Sequence, residues 1–131
     1  MAGAATGESV TVAGRPERVA VAGAFAVAVL GRQHPAGETV VLLVSELVTN
    51  SVRHSVSGLP GRTVTVTVLG SGAVTRVQVT DMSGTTVPAL RPGVPGMEGG
   101  RGLHLVDALA ARWGFEQDDG HTTTWFELRH G

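Results

Sequence analysis

Val64, Val66 and Val68 alternate with threonine in RTVTVTVLG, and AVTRVQVTD resumes the alternation after an intervening SG. A period of two sends successive side chains to opposite faces, so these valines share a face only if the chain is extended. The two segments, 62–70 and 73–81, therefore read as an antiparallel hairpin. Its valine face needs a cover, because a half-apolar sheet is stable only when another layer shields it. The segment 38–55 supplies one. Val40, Val44, Leu47, Val48 and Ser51 fall at i, i+4, i+7, i+8 and i+11, the spacing of a helix that buries one side.

The remaining elements follow from weaker signals. Residues 1–7 are small and polar and read as frayed, and Glu8 to Ala13 as a short edge strand. The run VAVAGAFAVAVL from Val19 to Leu30 is ambiguous, since Val19, Val21, Phe25, Val27 and Val29 carry a strand period. Its alanine content and Pro16, suited to a first helical turn, favour a helix from Pro16 to about Gln33, closed by HPAG. Met82 to Gly99 is rich in proline and glycine and reads as a loop. A further helix is expected from about Arg101 to Arg112, then a hairpin of WGFEQ and TTTWFELRH turning at DDG. The expectation is one α+β domain over residues 1–131, a two-layer sandwich with a mixed, mostly antiparallel sheet and helices on one face.

Composition removes several chemistries. The chain has no cysteine, so disulfides, thiolate catalysis and cysteine-held metals are excluded. All 10 basic residues are arginine, so there can be no Walker A loop and no Schiff base. A net charge of −1 and few aromatic residues give no footprint for nucleic acid. The 5 histidines lack paired metal-ligand spacing. The longest apolar run falls well short of the roughly 20 residues that span a bilayer and lies inside the chain, so a cytoplasmic protein without membrane contact is expected.

Three constellations carry candidate chemistry. On the second helix, Glu46, Asn50 and Arg53 share a narrow sector with His54 at its edge; a solvated face is the plain reading, but Leu42 and Leu43 flank the sector and favour a cleft. Asp81 ends a strand at VTDMSG, either as a simple Asx turn or as an acceptor for a ligand amino group. In EGGRGLHLVDALAARWG, glycines at a helix start are either a flexible loop end or a way to converge backbone N–H groups on an anion.

Together these segments resemble the nucleotide-binding boxes of the GHKL ATPases, the superfamily of histidine kinases and gyrase B, and most closely its anti-sigma serine-kinase branch. SELVTNSVRH resembles the N box, VTDMSGTTVP the first glycine box, and GGRGLHLVDALAARWG with GHTTTWFEL the second box and closing strand, over about residues 10–129. The resemblance implies the Bergerat sandwich, with ATP and Mg²⁺ as cofactors. It implies that Asn50 coordinates Mg²⁺, that Glu46 is the catalytic base, and that Asp81 accepts from the adenine amino group with Thr123 on the adenine side. Gly100, Arg101, Gly102 and Leu103 would meet the phosphates, Arg53 and Ser83 would be further nucleotide contacts, and residues 82–100 would form an ATP lid.

The implied function is a regulator that phosphorylates a serine of an anti-anti-sigma (STAS-type) partner and holds a sigma factor, with a homodimer as the default assembly. The alternatives are a non-catalytic module that regulates a partner through occupancy of the ATP site, and a small structural domain with a vestigial site. A histidine kinase is not expected, because 131 residues leave no room for a phosphoacceptor helix pair.

Overall fold

The structure is a computed structural model describing residues 6–31, 34–54, 63–71, 73–82, 98–118 and 120–129. Strand β1 (Thr6–Ala13) leads through a 3-10 turn (Pro16–Arg18) into helices α1 (Val19–Leu30) and α2 (Gly37–His54). Strands β2 (Thr63–Ser71) and β3 (Val74–Asp81) follow, then α3 (Glu98–Leu109), β4 (Arg112–Asp118) and β5 (His121–Arg129). The five strands form a sheet of order β1-β2-β3-β5-β4. The fold is the expected α+β sandwich, and the sheet, expected to be mostly antiparallel, is antiparallel at every described strand pair.

The alternation behaves as the hairpin requires. Val64, Val66 and Val68 of β2 join Val77 and Val79 of β3 and Phe126 and Leu128 of β5 on the buried face. Against them lies the stripe of α2, in which Val40, Val44, Leu47, Val48 and Ser51 are all buried. The opposite face of the sheet is polar, with cross-strand hydroxyl pairs Ser9–Thr67 and Thr11–Thr65, each at 2.8 Å.

The ambiguous segment is helical because it packs on a helix rather than on a strand. Ala22, Gly23 and Ala26 form its buried side. A Cβ added at Gly23 would come within 3.4 Å of Val41 Cγ1, so small residues set how closely α1 approaches α2. The helix is shorter than expected at both ends. Its first turn is 3-10, and it stops at Gly31, whose φ of 100° is open to glycine; the N–H of Gly31 still donates to Val27 O at 2.8 Å. Of the residues expected to extend it, Arg32 and Gln33 lie outside the described residues. At the HPAG turn, Ala36 N–H donates to His34 Nδ1 at 3.1 Å, ahead of α2.

Helix α3 also shifts. It begins at Glu98 rather than near Arg101 and ends at Leu109, since Arg112 already pairs with Glu127 in β4. The residues 98–100, assigned to the loop from their glycines, are therefore helical. Glycine costs a helix interior about 1 kcal/mol, an amount that packing of α3 along α2 can offset. Among the described residues no helix is long and apolar enough to cross a membrane.

Among the described residues Phe126 is the largest fully buried side chain, and it lies on the helix-facing side of β5. Phe126→Ala should cost about 3–5 kcal/mol through lost transfer energy and the cavity left behind. Urea unfolding followed by circular dichroism measures this, and a loss below about 1 kcal/mol would show that the core collapses around the gap.

Candidate functional site

The buried stripe of α2 ends on a polar residue. Ser51 is buried, and its Oγ donates to Asp81 Oδ2 at 2.7 Å, joining the C-terminal part of α2 to the end of β3. Asp81 lies on the helix-facing side because it continues the parity of Val77 and Val79. It pairs with Val64 on one neighbouring strand and with Thr122 on the other.

The environment of Asp81 is unusual for a carboxylate. Burial raises its pKa above the ordinary 3.8, while the Ser51 hydrogen bond and the charge of His121 work in the opposite direction. Oδ1 is buried and has no hydrogen-bond partner among the described residues. A desolvated acceptor left open is costly, and an N–H donor from a ligand would relieve that cost.

Glu46 and Asn50 sit one turn apart on α2, both half-buried, with Asn50 adjacent to Ser51. Of the two leucines expected to border them, Leu43 is fully buried but Leu42 is 42% exposed, so this polar sector is open to solvent on one flank. An acid and an amide at the margin of the core, on the helix whose Ser51 holds Asp81, suit a polar ligand that presents hydrogen-bond donors.

The closing strand separates its threonines between the two faces of the sheet. Thr123 pairs with Thr80, and the two hydroxyls lie 2.9 Å apart on the polar face, away from Asp81. Within β5, Thr122 and Thr124 are the buried threonines, on the side that carries Asp81, and Thr122 is directly opposite it. Gln117 Nε2 reaches Thr122 Oγ1 at 3.5 Å from the edge strand. The run of three threonines hid this parity, but Phe126 and Leu128 could have revealed it: even positions of β5 face the core.

Gly100, Arg101, Gly102 and Leu103 all fall in the N-terminal half of α3, the positive end of its dipole. Near the other end, Trp113 Nε1 donates to Asp107 Oδ1 at 2.9 Å and ties the helix to β4. Arg53 lies in the last turn of α2, and its side chain, like Ser83 and positions 83–97 of the expected lid, is outside the described residues. Among the described residues no group of three or more histidine, aspartate or glutamate side chains is placed to hold a metal ion. An amide-held ion completed by ligand oxygens would not need such a group.

The sequence matches the histidine kinase-like ATPase domain over residues 12–128. It is also 50% identical over 76 residues to an uncharacterized protein of Streptomyces coelicolor, an alignment covering 56% of this chain and 70% of the relative.

The raised pKa of Asp81 has a direct consequence for stability. Because its folded value exceeds its unfolded one, its contribution favours folding below the unfolded value and is lost as pH rises through the folded value. Asp81→Asn, which keeps an oxygen to accept from Ser51, should raise the melting temperature of the nucleotide-free protein at neutral pH. The gain should vanish on the acid side of the titration. Thermal melts across pH check this, and a lower melting temperature for the variant at neutral pH would contradict it.

Proposed function

The chain belongs to the histidine kinase-like ATPase family, and from that premise we propose that it is an ATP-dependent serine kinase of the anti-sigma type, acting on an anti-anti-sigma (STAS-type) partner. The observation that carries the reading is Asp81: a half-buried carboxylate held by Ser51, whose buried second oxygen has no hydrogen-bond partner among the described residues, fits the amino group of adenine. Thr122, opposite Asp81 on the same face, takes the adenine-side role in place of Thr123.

The other roles follow from chemistry and position. Asn50 offers an amide oxygen to Mg²⁺, a hard ion that prefers oxygen donors and retains several phosphate and water ligands. Glu46, one turn earlier, accepts the proton of the incoming serine hydroxyl. Its location matters more than a shifted acidity, because proton transfer first requires reach. The amides of Gly100, Gly102 and Leu103 and the guanidinium of Arg101 hold the phosphates without lysine, with Arg53 and Ser83 as further contacts. Bound ATP supplies the transferable phosphoryl group.

Holding a sigma factor, with partner phosphorylation controlling its release, completes the proposed role. It rests on the likeness of the three boxes to the anti-sigma branch. Titration calorimetry with Mg-ATP tests the site: Asn50→Ala and Asp81→Ala should each weaken binding by at least about tenfold, the scale of one lost charge-assisted or buried hydrogen bond. Labelled-phosphate transfer to the STAS-type partner tests the chemistry. Glu46→Ala should abolish transfer while leaving ATP affinity within about threefold, since a base acts in the transition state. Binding without transfer by the unmodified protein would instead favour regulation by occupancy alone, and no binding would leave a vestigial site.

A further inference from the structure

The sheet ends on β4, and among the described residues no strand pairs with its outer side. An edge strand turns alternate backbone N–H and C=O groups away from its neighbour and so offers a template for one further strand. The side chains of β4 decide what that strand must be. Arg112, Gly114, Glu116 and Asp118 lie on the polar face of the sheet, across from Glu127, Trp125, Thr123 and His121. Trp113, Phe115 and Gln117 lie on the helix-facing side, across from Phe126, Thr124 and Thr122.

The two ends of β4 differ in charge. The side chain of Arg112 is 66% exposed, and its Nε is 3.7 Å from Glu127 Oε1, while Arg76 Nη1 donates to the other oxygen at 3.0 Å. One carboxylate is thus shared between two guanidinium groups, and the outward side of Arg112 has room for a second anion. Next along the strand, a Cβ at Gly114 would stand 2.9 Å from Cζ2 and 3.1 Å from Nε1 of Trp125, so the glycine lets the indole lie over β4. Beyond it the sign reverses, and Glu116 and Asp118 are both exposed. On the helix-facing side Phe115 is 40% exposed, an aromatic ring that the core covers only in part.

We propose that β4 is the docking edge for an extended segment of a partner protein, added antiparallel as a further strand. Its side chains are acidic beside Arg112, basic beside Glu116 and Asp118, and apolar beside Trp113 and Phe115. Backbone hydrogen bonds supply the attachment, and the alternate side chains select the sequence. Opposite charges directly across a strand pair attract and like charges repel, so the change of sign along β4 fixes the direction and register of the guest. A second copy of β4 fits less well. It pairs Arg112 with Glu116 only by leaving Asp118 beyond the start of the strand, and Arg112 with Asp118 only by leaving Glu116 across from Gly114. A foreign segment matches all three charges. The other edge strand, β1, has the sequence TGESVTVA, with one charge and no aromatic residue to read a guest. None of the residues assigned to ATP lies on β4, so this surface stands apart from the nucleotide reading.

The probe is a labelled, end-capped peptide, Lys-Thr-Lys-Val-Thr-Val-Glu, titrated with the full chain and followed by fluorescence anisotropy. It should bind saturably below about 1 mM. The same residues in reverse order meet like charges when antiparallel and should bind at least about fivefold more weakly. Arg112→Glu should weaken the original peptide by a similar factor and prefer a peptide ending in lysine; circular dichroism verifies that the variant is folded. N-methylation at alternate peptide nitrogens should abolish binding in one parity and spare it in the other, because only one side of the guest meets β4. No saturation, equal binding of both sequence orders, indifference to Arg112→Glu, or equal tolerance of both methylation patterns would each overturn the proposal. So would sedimentation velocity showing that β4 is already closed by a second copy at the concentrations used.

Discussion

Burial of the α2 stripe on the valine face of β2 and β3 is the contact on which the rest of the molecule depends. It closes the core, and it also determines where polar groups must appear. The stripe runs from Val40 through Val48 and ends on Ser51, where the next partner is the carboxylate of Asp81 rather than another valine. Apolar packing thus fixes the register of a hydrogen bond that packing alone could not specify, and Asn50 and Glu46 are placed on the adjoining flank of the same rigid helix. The site inherits its precision from the core beneath it.

The elements with strong periodicity were legible in the sequence. The β2–β3 hairpin and α2 follow from period-two and i, i+4, i+7 patterns, since in each case one face is buried and the other is not. The segments read less accurately are those where packing overrides local preference. The valine-alanine alternation of α1 imitates a strand, because alanine is acceptable both against α2 and toward solvent. The glycines of α3 imitate a loop, because their cost is a local one and the contact with α2 is not. The antiparallel pairing of β3 with β5 joins segments far apart in the chain, and no short-range pattern specifies it.

Within the site, residue types were easier to identify than facing. Asp81 is distinctive as the charge that ends an alternating strand, and its parity with Val77 and Val79 was available in advance. Thr123 shows the limit. In a run of identical residues each position has the same chemistry, and only the pleat distinguishes them; the core positions Phe126 and Leu128 hold that information several residues away. The desolvation of Asp81 was not legible at all, since it arises from α2 and the sheet closing together over a carboxylate.

The position of β1 in the sheet bears on how the chain reaches this state. Its partner is β2, and the pairing of Ala13 with Thr63 encloses both α1 and α2 in a single long loop. The β2–β3 and β4–β5 pairs need only short turns, so their closure entropy is small, whereas β1 must wait for a far larger excursion of the chain to be restrained. The topology therefore favours an order in which the hairpins and helix packing come first and β1 is added to an existing edge. Slow steps and early fraying should both concentrate in this N-terminal strand, at the sheet edge furthest from β5 and β4.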